Sequence, residues 1–197
     1  MPSTYQRVTE WKVTTNGRGL NVLMFDNEMA YGNKVGKKRR EHAVSIGAQE
    51  RHGHSGDEER AIKEHQFSAC AELAVLKSLK LDGFFPEWHS IPKTWGEPDL
   101  VFERIDTVID VKARRFDRYD LLLPEYKDDW IYFYVSVEHS PVFWLAGWCF
   151  GWEIHDLGAR WWNNPDPRRP DGGGWLIETG RLHKWWELLR MLRARNS

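Results

Sequence analysis

Polar and apolar residues alternate along residues 97–112, in two short runs that meet near residues 105–106. Alternation with a period of two predicts two β-strands, and the break between them predicts a tight turn. If the turn has two residues, Asp99 lies opposite Lys112, because paired positions in an antiparallel hairpin keep a constant sum. The pattern therefore predicts a β-hairpin with a defined register.

The two faces of this predicted hairpin differ in chemistry, because successive side chains of a strand point to opposite sides. One face carries Leu100, Phe102, Ile109, Val111 and Ala113. The other carries Asp99, Val101, Glu103, Val108, Asp110 and Lys112. The first face is a complete apolar surface for packing on a core. The carboxylates of Asp99 and Asp110 and the ammonium of Lys112 therefore gather on the opposite side of the same platform.

These three charged groups suit one type of chemistry. Repulsion between two carboxylates is relieved by a divalent cation, and oxygen ligands at about 2.1 Å suit Mg²⁺, with Mn²⁺ as the alternative. A lysine beside them can orient a metal-bound water and offset charge on a phosphate. Asp99, Asp110 and Lys112 therefore predict metal-dependent hydrolysis of a phosphodiester.

Pro98-Asp99, followed on the next strand by Asp110-Val111-Lys112, resembles the PD-(D/E)XK nuclease superfamily. That superfamily includes many restriction enzymes, junction resolvases and recombination exonucleases. The resemblance implies that Asp99 and Asp110 bind the metal and that Val111 lends its backbone carbonyl. It implies that Lys112 serves the attacking water.

A long amphipathic pattern predicts a helix that begins near Asp57 or Glu58 and runs to about Leu81. Glu72 falls in the middle of its apolar stripe, where a charge must pair with a buried arginine or lysine or line a site. The resemblance favours the second interpretation, since the family often adds a glutamate from a preceding helix. Glu72 is then a third catalytic acid and metal ligand, with Glu87 as the weaker alternative. His65, on the same face, is a candidate contact to nucleic acid.

Aromatic and β-branched runs predict a second hairpin, formed by Trp130–Glu138 and Val142–Phe150. The last amphipathic stretch predicts a helix over Arg181–Arg195. Its inward residues would be Leu182, Trp185, Trp186, Leu189 and Leu192.

The remaining segments show weaker patterns. Short β-like pieces at Tyr5–Thr14 and Leu20–Phe25 suggest an N-terminal hairpin. Residues 32–57 are rich in glycine, histidine and charge and predict an exposed loop. A loop or short helix is expected over residues 113–129, and a long loop over Trp161–Gly174.

The predicted fold class is α/β, with a mixed central β-sheet flanked by helices. The resemblance, which covers roughly residues 61–150, implies a restriction endonuclease-like fold. We expect a single domain of 197 residues with its core at about residues 58–156. An N-terminal β/loop extension over residues 1–57 and a loop with the C-terminal helix over residues 157–197 would complete it.

Composition limits the partners. A net charge of -1 argues against a protein that coats nucleic acid without specificity. One basic cluster nevertheless begins at the site lysine, where phosphates would lie. The chain has 12 tryptophans, most of which suit core packing, whereas two stand beside a turn-rich loop. The predicted nucleic-acid contacts are His65, Arg114, Arg115, Arg118, Trp161 and Trp162.

No apolar run approaches the roughly 20 residues that span a membrane, and no secretory signal is evident. Cys70 and Cys149 lie in apolar contexts and are expected to be buried free thiols, so we predict a cytoplasmic protein. DNA is the expected partner, and a homodimer or an accessory protein stays open.

The sequence thus predicts a magnesium-dependent deoxyribonuclease, and its size and the resemblance fit a small phage-type or mobile-element nuclease. The recombination-exonuclease branch commonly carries a Gln-x-x-x-Tyr element after the lysine, but no glutamine follows Gln66 in this chain. The choice between an endonuclease and an exonuclease therefore stays open. One alternative is a non-catalytic protein that keeps the fold and binds nucleic acid or a partner. A carbohydrate-binding module, suggested only by the tryptophan content, is the other.

Overall fold

The computed structural model describes residues 19–46, 58–91, 96–115, 120–163 and 173–196. The strands are β1 (Leu20–Leu23), β2 (Glu87–Trp88), β3 (Leu100–Phe102), β4 (Thr107–Arg114), β5 (Leu121–Leu123), β6 (Ile131–Ser136), β7 (Val142–Phe150), β8 (Arg160–Trp162) and β9 (Gly174–Ile177). The helices are α1 (Asp26–Ser45), α2 (Glu58–Leu81) and α3 (Trp185–Asn196), and short 3₁₀ turns span Glu103–Ile105 and Thr179–Arg181. The chain has a mixed α/β fold.

Six strands form the central sheet in the order β1-β7-β6-β4-β3-β2. Strands β4 and β6 are parallel, and the other neighbours are antiparallel. The predicted mixed sheet is therefore confirmed, as is the hairpin of β6 and β7. Helices α2 and α3 share one core cluster with the sheet residues Ile109, Val111 and Phe133.

Helix α2 has the bounds that its sequence predicts. It begins at Glu58, with Glu59 also in the first turn, where acidic groups favour the positive end of the helix dipole. It ends at Leu81, and Gly83 follows with a φ of 86°, a left-handed conformation that glycine adopts without strain. The prediction of a long helix ahead of the hairpin is confirmed.

Helix α1 corrects the prediction of a loop over residues 32–57. Residues 32–45 are helical, while residues 47–57 lie outside the described part. The buried positions Gly32, Val35, Gly36 and Arg39 follow helical spacing, but two glycines and an arginine make a weak apolar stripe. The helix is therefore hidden in a charge-rich sequence, and its stability depends on contact with α2.

Strand β1 places part of the predicted N-terminal extension in the central sheet. Leu20–Leu23 pairs with β7, with Leu20 opposite Leu145. The other half of the predicted hairpin, Tyr5–Thr14, lies outside the described residues. Strand β1 joins the central sheet and α1 packs on α2. Residues 19–46, which were expected to form an extension, are therefore packed together with the expected core.

The hairpin of β3 and β4 has the predicted faces but a different register. Val101 lies opposite Val108 and Leu100 opposite Ile109, so Asp99 is not paired with Lys112. The connection contains a 3₁₀ turn and Asp106 in the left-handed conformation, which makes it longer than the expected two-residue turn. The shift equals two positions, and a shift of two leaves every side chain on its face.

A second sheet of three strands, in the order β5-β9-β8, replaces the predicted irregular segments. A loop or short helix was expected over residues 113–129, but this segment contains the end of β4 and all of β5. The long loop expected over residues 161–174 contains most of β8 and the first residue of β9. Residues 116–119 and 164–172 lie outside the described part. Leu121 and Leu123 of β5 pack in one apolar cluster with Tyr132. This sheet covers the face of the central sheet that α2 and α3 leave open.

Helix α3 begins at Trp185, later than the predicted Arg181. Its buried residues are Trp185, Leu188, Leu189 and Leu192. Trp186 was expected to face inward, but it is 48% exposed because it lies about 100° around the helix from Trp185. The inward face is therefore centred on leucines.

Both cysteines are buried and free, as the sequence predicts. Burial raises the pKa of Cys70 to about 11 and also raises the pKa of Cys149. Within the described ranges, no helix combines the length and apolarity that a bilayer crossing requires.

Replacing Gly36 by alanine tests the close contact between α1 and α2. Helix propensity alone would make alanine more stable than glycine by about 1 kcal/mol. The added Cβ would lie 2.4 Å from the Cα of Gln66, however, so we expect a loss of about 1–3 kcal/mol in the free energy of unfolding. Urea denaturation measures it, with Lys38→Ala on the exposed side of α1 as control. A gain in stability for Gly36→Ala would refute the tight packing.

Candidate active site

Asp99 lies immediately before β3, and its side chain reaches β4. The backbone N–H of Val111 donates a hydrogen bond of 2.7 Å to Oδ2 of Asp99. The backbone N–H of Asp99 donates to the carbonyl of Ile109 at 3.1 Å. The carboxylate thus takes the place of a backbone carbonyl that a longer β3 would present to β4. Asp99 is held at two points beside the Asp110-Val111-Lys112 triplet.

The carbonyl of Val111 points to the same side of β4 as its N–H, because both groups of a strand residue lie on one side of the strand. That side is the one occupied by Asp99. The backbone groups of alternate residues of β4 point the other way, toward β6. Arg114 is one of these residues, and its carbonyl accepts from the N–H of Val137 at 2.8 Å. The Val111 carbonyl therefore faces the start of β3, on the side of β4 that holds Asp99, and its role as a metal ligand stays a prediction.

Asp110 and Lys112 lie on the same face of β4 and form an ion pair. The Nζ of Lys112 is 2.6 Å from Oδ2 of Asp110, and the two side chains are 32% and 15% exposed. The same Nζ lies 5.9 Å from the ring centroid of Tyr132 on β6. The predicted carboxylate and ammonium are therefore together, half-buried and within reach of solvent.

Negative charge at Asp99 is unfavourable in this environment. Burial raises the pKa of the Asp99 carboxyl well above its ordinary value, and the charges of Glu72 and Asp110 raise it further. The hydrogen bond from Val111 and the charge of Arg39 lower the pKa without cancelling the rise. One oxygen of Asp99 and one of Asp110 accept no hydrogen bond from the described residues. A divalent cation at these oxygens would relieve the repulsion.

Glu72 is 1% exposed on α2, and its carboxylate has four protein donors. The Nη1 and Nη2 atoms of Arg39 each lie 2.5 Å from one of its oxygens. The indole Nε1 of Trp88 donates at 2.8 Å and the hydroxyl of Ser68 at 3.3 Å. A carboxylate has about four acceptor positions, so these donors fill them. The ion pair with a buried arginine is present, and a metal role for Glu72 stays a prediction that would require these donors to move.

Arg39 connects α1 with two other elements. Besides Glu72, it donates through Nε to the carbonyl of Ser90 and through Nη2 to the carbonyl of His89 at 3.3 Å. Burial lowers the pKa of Arg39, but the hydrogen bond and charge of Glu72 outweigh burial and raise it, so the guanidinium stays charged. The N–H of His89 in turn donates to the carbonyl of Asp99 at 2.9 Å. Arg39 thus anchors the segment next to Asp99.

Neither Arg39 nor Trp88 is identified from the sequence as part of this site. A signal for Arg39 is nevertheless present, because Gly32, Val35, Gly36 and Arg39 recur every three or four residues, as on one face of a helix. A charge at the end of such a face needs a buried partner. Trp88 carries no comparable signal, since β2 has only two residues.

The predicted nucleic-acid contacts lie on several elements. His65 is half-buried on α2, Arg114 is half-buried at the end of β4, Arg115 is exposed after it, and Trp161 and Trp162 are exposed on β8. Arg118 lies outside the described residues. The two arginines on or next to β4 thus continue directly from the site lysine. Contact of all these residues with nucleic acid stays a prediction.

The candidate metal ligands are few. No group of three or more histidine, cysteine, aspartate or glutamate side chains among the described residues has the spacing of a metal site. The donor set is therefore two carboxylates, Asp99 and Asp110, and the carbonyl of Val111. Mg²⁺ commonly binds through one or two carboxylates and keeps several waters or phosphate oxygens, so this set fits it.

Replacing Asp99 by asparagine tests the unfavourable charge. A carboxyl whose pKa is raised on folding lowers stability at pH values above the ordinary pKa of aspartate. We therefore expect Asp99→Asn to have a higher Tm than the wild type at pH 7 in EDTA, with a difference that shrinks toward pH 4. Thermal unfolding across this range measures it, with Asp106→Asn on the exposed turn as control. A difference independent of pH would exclude this origin.

Replacing Glu72 by alanine tests the buried ion pair. Arg39 would keep an uncompensated buried charge, so we expect a loss of about 3–5 kcal/mol in the free energy of unfolding. Urea denaturation measures the loss, and Glu59→Ala, which removes an exposed partner of Lys63, should change little. An equally small loss of unfolding free energy in both variants would mean that the Arg39–Glu72 pair does not hold the helices together.

Comparison with known proteins gives no relative from which a function could be transferred. The chain matches no protein-family model, no curated protein and no solved structure. A function must therefore be inferred from the arrangement of Asp99, Asp110 and Lys112.

Proposed function

We propose that this chain is a metal-dependent deoxyribonuclease that hydrolyses phosphodiester bonds at Asp99, Asp110 and Lys112. The observation that carries the proposal is the junction of β3 and β4. There the Asp99 carboxylate accepts from the N–H of Val111, and the next strand presents a carboxylate and an ammonium 2.6 Å apart. The same residues carry the resemblance to the PD-(D/E)XK nucleases.

We also propose that the fold is restriction endonuclease-like. Helix α2 precedes the β3–β4 hairpin in the chain, and the two share one core. Strand β6 then lies parallel to β4 in a mixed sheet. This order of elements supports a restriction endonuclease-like fold, because it places the acidic residues of the β3–β4 hairpin next to a helix.

The proposed reaction forms a bond between a water oxygen and phosphorus and breaks the bond from phosphorus to one sugar oxygen. Asp99, Asp110 and the Val111 carbonyl would hold Mg²⁺ or Mn²⁺, which when bound lowers the pKa of water and offsets phosphate charge. Lys112, held by Asp110, would donate hydrogen bonds that orient the attacking water and stabilise the phosphate oxygens. The attacking water releases one proton to solvent and the leaving oxygen takes one from solvent, so one strand end carries a phosphate and the other a hydroxyl.

DNA suits the surroundings of the site. Arg114 and Arg115 follow Lys112, so basic groups continue along the path that a phosphate backbone would take. Trp161 and Trp162 are 50% and 37% exposed on the second sheet, which packs against the face that bears Lys112. Exposed aromatic rings of this kind can stack on unpaired bases.

A second candidate is a non-catalytic protein that binds nucleic acid or a partner. The occupied carboxylate of Glu72 favours it, because a third acid that is fully hydrogen-bonded to Arg39, Trp88 and Ser68 does not need a metal. The oxygens of Asp99 and Asp110 that accept no hydrogen bond from the described residues favour the enzyme.

Cleavage of supercoiled, linear and single-stranded DNA with Mg²⁺ or Mn²⁺ tests the enzyme. We expect cutting that EDTA abolishes and that falls by about a hundredfold or more in Asp110→Asn and in Lys112→Ala, because both groups act on the water or phosphate. Glu103→Ala, which removes an exposed carboxylate of the hairpin connection, should cut like the wild type. Undiminished cutting by Asp110→Asn would exclude this site. Binding of DNA without cutting of any form would favour the second candidate.

A further inference from the structure

An open cleft of about 460 Å³ lies between the end of β7, the turn that follows it and helix α3. Its walls include Phe150, Trp152, Glu153, His183, Glu187 and Arg190. None of these residues belongs to the candidate active site. The size falls within the range of small-molecule sites, and the walls combine aromatic, acidic and basic groups.

One wall of the cleft is an aromatic stack. The ring of Trp152 lies on that of Phe150, with centroids 5.5 Å apart and planes inclined by 21°. The ring of Phe150 also packs edge-to-face against that of Trp148, with centroids 5.3 Å apart. Trp152 is 57% exposed although Phe150 covers one of its faces, so its other face is open. A flat ring could extend this stack without rearrangement of the protein.

Another wall presents hydrogen-bond acceptors. Glu153 is 7% exposed and lies 2.8 Å from Nε2 of His183, a contact that places a proton on Nε2. The Nδ1 of His183 lies 3.9 Å from Oε2 of Glu187, too far for a hydrogen bond, so it does not occupy the Glu187 carboxylate. The N–H of Lys184 fixes the Glu187 carboxylate at 2.6 Å. A ligand with adjacent N–H donors would complement these acceptors.

Arg190 supplies the opposite charge at the cleft. It is exposed on α3, one turn after Glu187, and it has no hydrogen bond or ion pair to the residues that the structure describes. A guanidinium that lines the same cleft as an aromatic ring suits a phosphate attached to a flat base. A ligand that carries both N–H donors and a phosphate would match Glu187 and Arg190 together, which a purely cationic or a purely apolar ligand would not do.

We propose that this cleft binds a nucleobase, with guanine preferred. The base would stack on the open face of Trp152, its two adjacent N–H groups would donate to the Glu187 carboxylate, and its phosphate would contact Arg190. Adenine, cytosine and thymine lack two adjacent donors of this kind, so they bind less well. The base belongs either to a free guanine nucleotide or to an unpaired strand. Binding of a base in this cleft requires no nuclease activity at Asp110 and Lys112.

Fluorescence anisotropy in EDTA tests the site without cleavage. The probe is a labelled thymine octanucleotide that contains one central guanine, compared with an all-thymine octanucleotide and with competing GMP. We expect Trp152→Ala to weaken binding of the guanine probe by about tenfold, as loss of one base stack does. Trp186→Ala removes a similarly exposed tryptophan of α3 outside the cleft and should bind like the wild type. Glu187→Gln should lose most of the preference for guanine.

The competitor identifies the source of the base. Displacement by GMP indicates a free nucleotide site, whereas binding of the guanine probe without displacement by GMP indicates an unpaired strand; either result supports the cleft. Equal losses in Trp152→Ala and Trp186→Ala, or no binding of probe or GMP, would overturn it. Displacement of the probe by cellohexaose would also overturn the proposal, because it would mean that the cleft binds a neutral sugar, which has no phosphate for Arg190. Unchanged Tm values establish that the variants are folded.

Discussion

The buried ion pair between Arg39 and Glu72 is the constraint on which the arrangement of this structure depends. Removal of two charges from water costs several kcal/mol per ion, and good geometry with further hydrogen bonds must offset it. Here the guanidinium and the carboxylate meet through two contacts, and Trp88 and the Ser90 carbonyl are among their further hydrogen-bond partners. Few packings of α1 on α2 satisfy so many groups together. The pair therefore specifies how the helices and the end of β2 fit, with Gly36 allowing the necessary approach.

This constraint also divides the acidic groups of the site by role. Glu72 is neutralised by its donors, whereas Asp99 lies close enough to feel the charges of Glu72 and Arg39 but has an oxygen without a donor among the described residues. Asp110 is balanced on one side by Lys112. Among the described residues, the carboxylate of Glu72 is thus fully hydrogen-bonded, whereas those of Asp99 and Asp110 are partly open and are the two that the proposed function uses. Such a division explains why unfavourable charge is concentrated at Asp99.

The sequence predicted what depends on short-range periodicity. The bounds of α2, the pairing of β6 with β7 and the two faces of the β3–β4 hairpin all follow from local patterns. The hairpin register could not be fixed, because a shift of two positions preserves the faces and only the connection decides between them. Helix α1 and the partner of Glu72 were missed for a related reason. Their stability comes from contacts between distant segments, which leave only a faint pattern in the sequence.

The second sheet has a consequence for the order in which the molecule folds. Leu121 pairs with Ile177, which is distant in the chain, whereas β3 and β4 are joined by a short connection. Pairings between distant segments must pay a larger loop-closure entropy and form slowly, so we expect the hairpin with Asp110 and Lys112 to form before the second sheet covers it. During this interval Tyr132 and its apolar neighbours remain uncovered. The newly made protein is then most exposed to aggregation at the face that later shelters its charged pair.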